Sequence, residues 1–256
     1  MFSRAIVRPP SANFAEGLTS VRSGAPVYAQ ALKQHDAYCA GLEVCGLKLA
    51  RLQADERYPD STFVEDVAVI TERGAILAHP GAPSRTGEVE GVKEALGKFY
   101  STLRSIKNPG TLDGGDICEA GNHFFIGISE RTNENGAQQL AEWLGSLDYT
   151  SSFMDIRRVN GILHLKSGLA YLGDNRLVVI EAISNRKDFR GYDLIVVDTQ
   201  EGYAANCVRV NEHVLLAAGY PELEKSLSKL GYQTIALEMS EFQKMDGGLS
   251  CLSLRF

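Results

Sequence analysis

Short apolar runs broken by tight polar turns recur along this chain. In each copy, apolar residues lead into a turn of the Gly-Asn, Gly-Asp-Asn or Asn-Glu type, and a run rich in β-branched or aromatic residues follows. Three copies occupy residues 119–127, 171–179 and 209–217, and a looser fourth, with its turn near residues 72–74, occupies 64–80. Apolar runs separated by such turns are typical of β-hairpins. The pattern therefore predicts four hairpins.

The segment after each hairpin also has a recurring pattern. A stretch with apolar residues at helical spacing comes first, and a second short apolar run completes the copy. Thr132 or Asn133 suits the N-cap of one such helix, and Pro221 suits the start of another. The predicted helices span 87–100, 132–147, about 183–189 and 221–231, and the strands after them span 103–106, 152–156, 193–198 and 232–238.

The two ends of the chain supply a fifth copy if they are joined. Residues 4–7, 27–44 and 47–52 have the pattern of strand, helix and strand, and residues 249–256 have that of the missing first strand. Five units over 256 residues give a period of about 51 residues, which is typical of radial repeats. A ring in which the last strand pairs beside the first leaves no open sheet edge. We therefore predict a single α/β domain, residues 1–256, built as a ring.

Charge and composition narrow the classes of function. The chain carries 26 basic and 32 acidic residues, a net charge of −6, and no basic stripe, which argues against nucleic acid as a partner. No apolar run approaches the ~20 residues of a membrane span, and the N-terminus lacks the apolar stretch of a signal peptide. The five cysteines form no Cys-x-x-Cys pair. These features predict a reduced, cytoplasmic protein that binds neither a membrane nor nucleic acid.

Ring topology brings distant ionisable residues together. The stretches that lead into the first strand of each unit, residues 59–66, 112–118, 162–168, 203–207 and 246–251, are expected to converge near the ring axis. Their ionisable side chains of interest are Asp60, Glu65, Asp66, Asp113, Asp116, His164 and Cys251.

Cys251, His164 and Asp113 together have the parts of an activated thiol. Each residue alone also fits a structural role, because free cysteines and histidines flanked by apolar residues are often core residues. Two features favour function for Cys251. The Asp-Gly-Gly before it permits positive φ and close backbone approach, and it repeats the Asp-Gly-Gly at residues 113–115.

The carboxylates Asp60, Glu65 and Asp66 around Phe63 indicate the class of substrate. Negative neighbours raise the pKa of a thiol, so such a site makes sense if the substrate is a cation that neutralises them. A guanidinium pairs well with carboxylates and stacks on an aromatic ring. The alternative is a polar loop with Asp60 in a turn after a proline.

Two arginines extend the hypothesis to the other end of the substrate. Arg85 and Arg131 follow the hairpins of two units, and together they would bind a carboxylate. Each alone also fits a surface arginine.

The chain contains the motifs GLTS (17–20), DERYPDSTFVED (55–66), LDGGDI (112–117), RTNENGA (131–137), LHLKSGLAYL (163–172) and DGGLSCLSLRF (246–256). These motifs resemble those of the dimethylarginine dimethylaminohydrolase family of the guanidino-group-modifying (pentein) superfamily. The resemblance runs from the first strand to the last residue. It implies a five-bladed α/β propeller, the pentein fold, with pseudo-fivefold ββαβ units around a central site.

The resemblance implies hydrolysis of Nω-methylated L-arginine, asymmetric dimethylarginine or monomethylarginine, to L-citrulline and dimethylamine or methylamine. Cys251 matches the nucleophile that forms a covalent thiouronium intermediate. His164 matches the general acid and base, and Asp113 the carboxylate that orients and charges it. The family needs neither a metal nor an organic cofactor, so the only partner implied is the small-molecule substrate.

The resemblance also assigns the binding residues. Asp60, with Glu65 and Asp66, matches the group that binds the guanidinium, and Phe63 matches the apolar wall beside it. The remaining matches are Arg85 and Arg131 for the α-carboxylate, and the backbone carbonyls of Leu18 and Met245 for the α-ammonium group.

Other functions remain as alternatives. Deimination of arginine or agmatine is the nearest, although the two arginines favour a substrate with an α-carboxylate and the chain is too short for the extra helical domain of arginine deiminases. Amidino transfer, a cysteine protease and a non-catalytic ring-shaped binding protein are further alternatives. The sequence does not determine the preference between methylated arginines or the oligomeric state, with a homodimer as one option. The Gly- and Ser-rich residues 17–24 are predicted to form a lid.

Overall fold

The structure, a computed structural model, describes residues 1–256 and contains fifteen strands and six α-helices. The strands are β1 (Arg4–Val7), β2 (Lys48–Arg51), β3 (Ala68–Thr71), β4 (Gly74–Leu77), β5 (Leu103–Ser105), β6 (Ile117–Ala120), β7 (His123–Ile128), β8 (Thr150–Asp155), β9 (Leu169–Tyr171), β10 (Arg176–Ile180), β11 (Asp193–Val197), β12 (Val208–Val210), β13 (His213–Ala217), β14 (Gln233–Leu237) and β15 (Leu254–Arg255). The helices are α1 (Tyr28–Val44), α2 (Val89–Leu96), α3 (Glu134–Gly145), α4 (Glu181–Ser184), α5 (Pro221–Lys229) and α6 (Ser240–Gln243).

The strands form five separate sheets of three strands each. In every sheet the first strand runs antiparallel to the second, and the second runs parallel to the third, which follows a helical crossover. The fifth sheet joins the chain ends, since β15 pairs antiparallel with β1 and β1 pairs parallel with β2. The five predicted ββαβ units are confirmed.

Local sequence accounts for the hairpins and helix starts. The hairpin turns contain Asp174, Asn175 and Asn211 at positive φ, a conformation that Asn and Asp tolerate better than other non-glycine residues. Asn133 caps α3, and its side chain accepts a hydrogen bond from the Gly136 amide.

The C-terminal prediction was partly wrong. Only Leu254–Arg255 forms a strand, and Cys251 lies in a 3₁₀ turn, Ser250–Leu252, that precedes it. The apolar residues there do not form a continuous strand. They are apolar because this segment is buried, as Leu252, Ser253 and Leu254 all are.

Apolar residues fill the spaces between neighbouring blades and under the helices. The largest buried cluster, of 20 residues, packs α1 against the sheets of the fourth and fifth blades and contains Phe14, Tyr38 and Phe63. No helix is long and apolar enough to cross a membrane.

Candidate active site

In all five blades, a 3₁₀ turn at the ring axis precedes the first strand. The turns span Val64–Val67, Gly114–Asp116, Leu165–Ser167, Thr199–Ala205 and Ser250–Leu252. Neighbouring turns pack against one another, so residues from distant parts of the sequence meet at one end of the ring. The predicted convergence is confirmed.

A narrow cleft opens at this end of the ring. Its cavity is about 20 Å³, room for about one water molecule. The cleft brings together nine of the eleven predicted site residues, all except Asp113 and Glu65. It is lined by Leu18, Asp60, Phe63, Asp66, Arg85, Arg131, Leu163, His164, Met245, Asp246, Gly247 and Cys251.

The two Asp-Gly-Gly motifs serve close packing and not unusual backbone angles. None of their four glycines has positive φ; the left-handed residue is Asp246, at φ 56°. A Cβ on Gly115 would lie 2.8 Å from Asp66 Oδ1 and 2.9 Å from Cγ of His164. On Gly247 a Cβ would collide with the Phe63 ring. The glycines therefore let the backbone pass directly behind the candidate groups.

Three carboxylates surround His164. Its Nδ1 lies 3.4 Å from Asp116 Oδ2, and its Nε2 lies 3.8 Å from Asp66 Oδ1 and 3.9 Å from Asp113 Oδ2. Burial by itself would lower the pKa of His164, but Asp66, Asp116 and Asp113 outweigh it and raise the pKa to about 9. The imidazole is therefore protonated at neutral pH, as a general acid requires.

Asp116 is the carboxylate closest to His164, and the sequence alone indicated no role for it. Its Oδ2 accepts hydrogen bonds from the hydroxyls of Ser129 and Thr132, both at 2.7 Å, and its Oδ1 accepts one from the Leu165 amide at 3.0 Å. These bonds fix Asp116 against the residue that follows His164. The signal present in the sequence was its position three residues after Asp113 in the same turn.

Asp113 lies beyond hydrogen-bond distance of His164, which differs from the orienting role that the resemblance implied. Its Oδ1 accepts from the Gly81 amide at 2.8 Å, and its buried Oδ2 has no hydrogen-bond partner. Burial, reinforced by Asp66, raises the pKa of Asp113 to about 6. Its short side chain acts on His164 through its charge, and Asp116 is the carboxylate that lies closer to the imidazole.

Asp66, Asp113 and His164 offer ligand atoms within 4.8 Å of one another, the spacing of a cation site. In this structure Arg85 and the protonated His164 already supply positive charge there. Burial alone would raise the pKa of Asp66, but these two cations outweigh it and the pKa is lowered. Asp66 therefore stays ionised between two cations.

The Cys251 thiol is neutral in this environment. Burial, followed by the charges of Glu65 and Asp66, raises its pKa to about 12. This agrees with the expectation that carboxylates around the thiol oppose its ionisation.

The two arginines have different surroundings. Arg85 is buried and pairs with Asp66 at 2.6 Å and Glu88 at 2.8 Å, and it donates to the Phe63 carbonyl at 3.2 Å. Its guanidinium is thus largely engaged by the protein. Arg131 lines the cleft, and its guanidinium makes no hydrogen bond or ion pair with the rest of the chain.

The loop at residues 17–24 contributes Leu18 to the cleft lining and is hydrogen-bonded to two carboxylates. The Leu18 amide donates to both oxygens of Asp60 at 3.1 Å. Ser20 donates to Asp246 through its amide at 2.6 Å and through its hydroxyl at 3.0 Å. Burial raises the pKa of Asp60.

Glu65 lies behind the cleft wall, which differs from its predicted place beside the substrate. Its carboxylate accepts from the Ser250 hydroxyl at 2.7 Å and pairs with Lys166 and, at 3.1 Å, Arg255. On the far side of this group a second cavity of about 700 Å³ runs along the first strands of the blades. We call the group of Glu65, Lys166, Ser250 and Arg255 the axial plug.

Comparison with known proteins places the chain in a family. The model for "N,N dimethylarginine dimethylhydrolase, eukaryotic" matches residues 16–210. Over their full lengths, the chain is 44% identical to the N(G),N(G)-dimethylarginine dimethylaminohydrolase of Pseudomonas aeruginosa. It is 32% identical to the protein of that name from Streptomyces coelicolor, covering 98% of this chain and 96% of the relative.

Solved structures agree. A cysteine-to-serine variant of the Pseudomonas aeruginosa protein, complexed with citrulline, superposes with a TM-score of 0.97 at 43% identity, covering all of both chains. The N-terminal domain of ArgZ, a cyanobacterial arginine dihydrolase, has the same fold, with a TM-score of 0.89 at 19% identity over all of this chain and 97% of that one. The predicted five-bladed α/β propeller is confirmed, and the chain belongs to the dimethylarginine dimethylaminohydrolase family.

Proposed function

We propose that the protein hydrolyses Nω-methylated L-arginine to L-citrulline and dimethylamine or methylamine. The observation that carries this proposal is the convergence of a thiol, a protonated imidazole and the carboxylates of Asp60 and Asp66 in one cleft. Negative groups around an un-ionised thiol suit a cationic substrate. The names of the full-length relatives support the same activity.

The first half of the reaction uses Cys251 and His164. A guanidinium seated beside Asp60 and Asp66 neutralises their field, so Cys251 loses its proton to solvent more readily. The thiolate attacks the guanidinium carbon and forms a C–S bond. His164 donates its proton to the methylated nitrogen, the C–N bond breaks, and the amine leaves a thiouronium on Cys251.

The second half returns the groups to their starting state. Neutral His164 takes a proton from water as the water oxygen attacks the same carbon. The C–S bond then breaks, Cys251 leaves as a thiolate, and the ureido group of citrulline forms as its hydroxyl proton is lost. Cys251 takes up a proton and becomes the neutral thiol again. Cys251 is the only residue that forms a covalent bond to the substrate.

The other predicted residues are proposed as binding groups. Arg131 is the proposed partner of the α-carboxylate, because its guanidinium is unengaged and faces the cleft. Arg85 supports it by charge and holds Asp66 in place. Phe63 forms the apolar wall, and the carbonyls of Leu18 and Met245 receive the α-ammonium group. Glu65 acts from behind the wall, through its charge on the thiol.

Citrulline formation tests the proposed function. The purified protein is incubated in turn with asymmetric dimethylarginine, monomethylarginine, arginine and agmatine. The proposal expects turnover of one or both methylated arginines. Turnover of only arginine or agmatine would identify a deiminase instead, and turnover of none would reject the hydrolase.

Substrate binding is expected to lower the pKa of Cys251 from its high value in the free protein. The reason is that a bound cation offsets the carboxylates that oppose thiolate formation. Thiolate absorbance followed against pH, with and without a substrate-like amidine, measures the shift. Identical titrations in the two conditions would contradict this prediction.

Residues 17–24 are proposed to open as a lid, since a cavity of about 20 Å³ is too small for an arginine side chain. Opening requires Ser20 to release Asp246. Amide hydrogen exchange in this loop is expected to slow several-fold when a ligand is bound. An exchange rate that does not respond to ligand would argue for a fixed loop.

The proposal treats residues 1–256 as one catalytic domain that acts in the cytoplasm without metal or organic cofactor. A homodimer stays a prediction, and light scattering at the assay concentration distinguishes it from a monomer.

A further inference from the structure

Asn206 is a buried polar residue at the ring axis that the proposed reaction does not use. It follows the 3₁₀ turn Thr199–Ala205 and precedes β12, within one of the five stretches that converge on the axis. Its side chain is 7% exposed. A carboxamide at this depth carries two N–H donors and an acceptor, all of which need partners.

The Asn206 carboxamide joins the turn that carries the imidazole to the turn that carries the thiol. Its Nδ2 donates to the Lys166 carbonyl at 2.6 Å and to the Ser250 hydroxyl at 3.0 Å. Its Oδ1 accepts from the Ser250 amide at 3.0 Å. Lys166 lies two residues after His164, and Ser250 directly precedes Cys251.

The two turns have no other direct hydrogen-bonded link. No backbone hydrogen bond joins residues 164–168 to residues 248–252. The turn after His164 packs on Gly114–Asp116, on β6 and on Thr199–Ala205, whereas the turn of Cys251 packs mainly on Val64–Val67. Besides the packing of each turn on its neighbours, the two turns are joined by Asn206 and by the ionic route through the axial plug.

The glycine at position 248, three residues before Cys251, leaves space for the Asn206 side chain. A Cβ on Gly248 would collide with the Asn206 carboxamide, with its Cγ at 2.7 Å. The second glycine of the Asp-Gly-Gly motif thereby makes room for Asn206, as the first makes room for Phe63. Only an asparagine combines the donors, the acceptor and the size that this gap holds.

We propose that Asn206 is a positioning residue that sets the separation of the Cys251 thiol and the His164 imidazole. This inference rests on the proposed function, in which both groups act on one carbon. Asn206 touches neither the substrate nor the reacting atoms. Its carboxamide fixes the two turns so that the thiolate attacks while the imidazolium lies beside the leaving nitrogen.

The test compares Asn206→Ala with Asn211→Ala. Asn211 is a matched control because its carboxamide also makes three hydrogen bonds to distant parts of the chain. It accepts from the Phe2 amide and donates to the carbonyls of Phe2 and Cys45, away from the cleft. Asn206→Ala is expected to lower kcat about a hundredfold with KM changed less than threefold, since small misplacements of reacting groups cost about that much. Asn211→Ala is expected to keep kcat within threefold.

The kinetics are measured well below the melting temperature of each variant. A kcat within threefold of wild type in Asn206→Ala, or an equal loss in Asn211→Ala, would overturn the proposal. If Asn206→Ala does not fold, Asn206→Asp replaces it, since it keeps the size and the acceptor and loses both donors. The same loss of kcat with little change in KM is expected there, and retention of kcat would overturn the proposal.

Hydrogen exchange separates this inference from the proposed function, because it needs no turnover. Amides of residues 164–168 and 248–252 are expected to exchange at least tenfold faster in the Asn206 variant and at the wild-type rate in Asn211→Ala. Unchanged exchange in the Asn206 variant would reject the link between the turns, whatever the activity. A wild-type protein without turnover would reject the proposed function alone.

Discussion

Turnover is expected to disappear in Cys251→Ser while the fold remains. A serine hydroxyl is a far weaker nucleophile than a thiolate and loses its proton much less readily, so kcat is expected to fall at least about a thousandfold. The substitution removes little volume and leaves the turn Ser250–Leu252 free to form as before. Citrulline formation measures the loss, and a circular dichroism melt confirms the fold.

Cys45→Ser is the matched control for this experiment. Cys45 is also a free, buried cysteine, but it lies at the C-terminal end of α1, outside the cleft. Full activity is expected there, with some loss of melting temperature. If Cys251→Ser kept turnover within tenfold of wild type, the nucleophile would have to be another group.

Asp66→Asn is expected to have the second largest effect, on both the rate and its pH dependence. The Asp66 carboxylate raises the pKa of His164, so its removal lowers that pKa from about 9. The general acid is then lost at lower pH, and the alkaline limb of kcat/KM moves toward neutrality. The guanidinium also loses a carboxylate partner, so kcat/KM at neutral pH is expected to fall about a hundredfold.

The same change is expected to destabilise the fold. Arg85 is buried and pairs with Asp66 at 2.6 Å, so a neutral side chain leaves it short of compensating charge. Breaking a buried ion pair costs about 3–5 kcal/mol, although Glu88 retains part of the pairing here. Chemical denaturation measures this loss, and the kinetics are recorded where the variant is fully folded.

Glu90→Gln provides the comparison for Asp66→Asn. Glu90 pairs with Lys93 at 3.2 Å on the exposed face of α2, where ion pairs contribute little. No change in rate or in pH profile is expected. An alkaline limb that stayed in place in Asp66→Asn would show that the field of Asp66 does not control His164.

The sequence predicted the ring because its signals are local and repeat five times. Turn residues such as Asn211 and the N-cap Asn133 mark element boundaries directly. Ring topology then required the turns before each first strand to meet. This is why Cys251, His164 and Asp66 could be brought together from positions far apart in the sequence.

The sequence could not predict which side of a 3₁₀ turn each residue faces. In such a turn, consecutive residues point about 120° apart, and residues three positions apart lie on the same side. Asp66 therefore faces the cleft, while its neighbour Glu65 points to the other side and forms part of the axial plug. Asp113 and Asp116, three apart, both flank His164, and side-chain length with hydrogen-bond partners decides which is closer.

The sequence also could not predict which groups pair with Arg85. Its place after a hairpin predicted a role in binding a carboxylate, and the nearest carboxylates belong to the protein itself, Asp66 and Glu88. Burial depth decides this outcome, and burial depth depends on how neighbouring blades pack. A local pattern does not contain that information.

The axial plug separates the cleft from the rear cavity. Passage of a molecule from the cleft to the rear cavity would require Glu65 to give up Lys166, Arg255 and Ser250 together, at a cost of several kcal/mol. In the proposed reaction the amine product therefore leaves on the side of the cleft that Leu18 lines, away from the rear cavity.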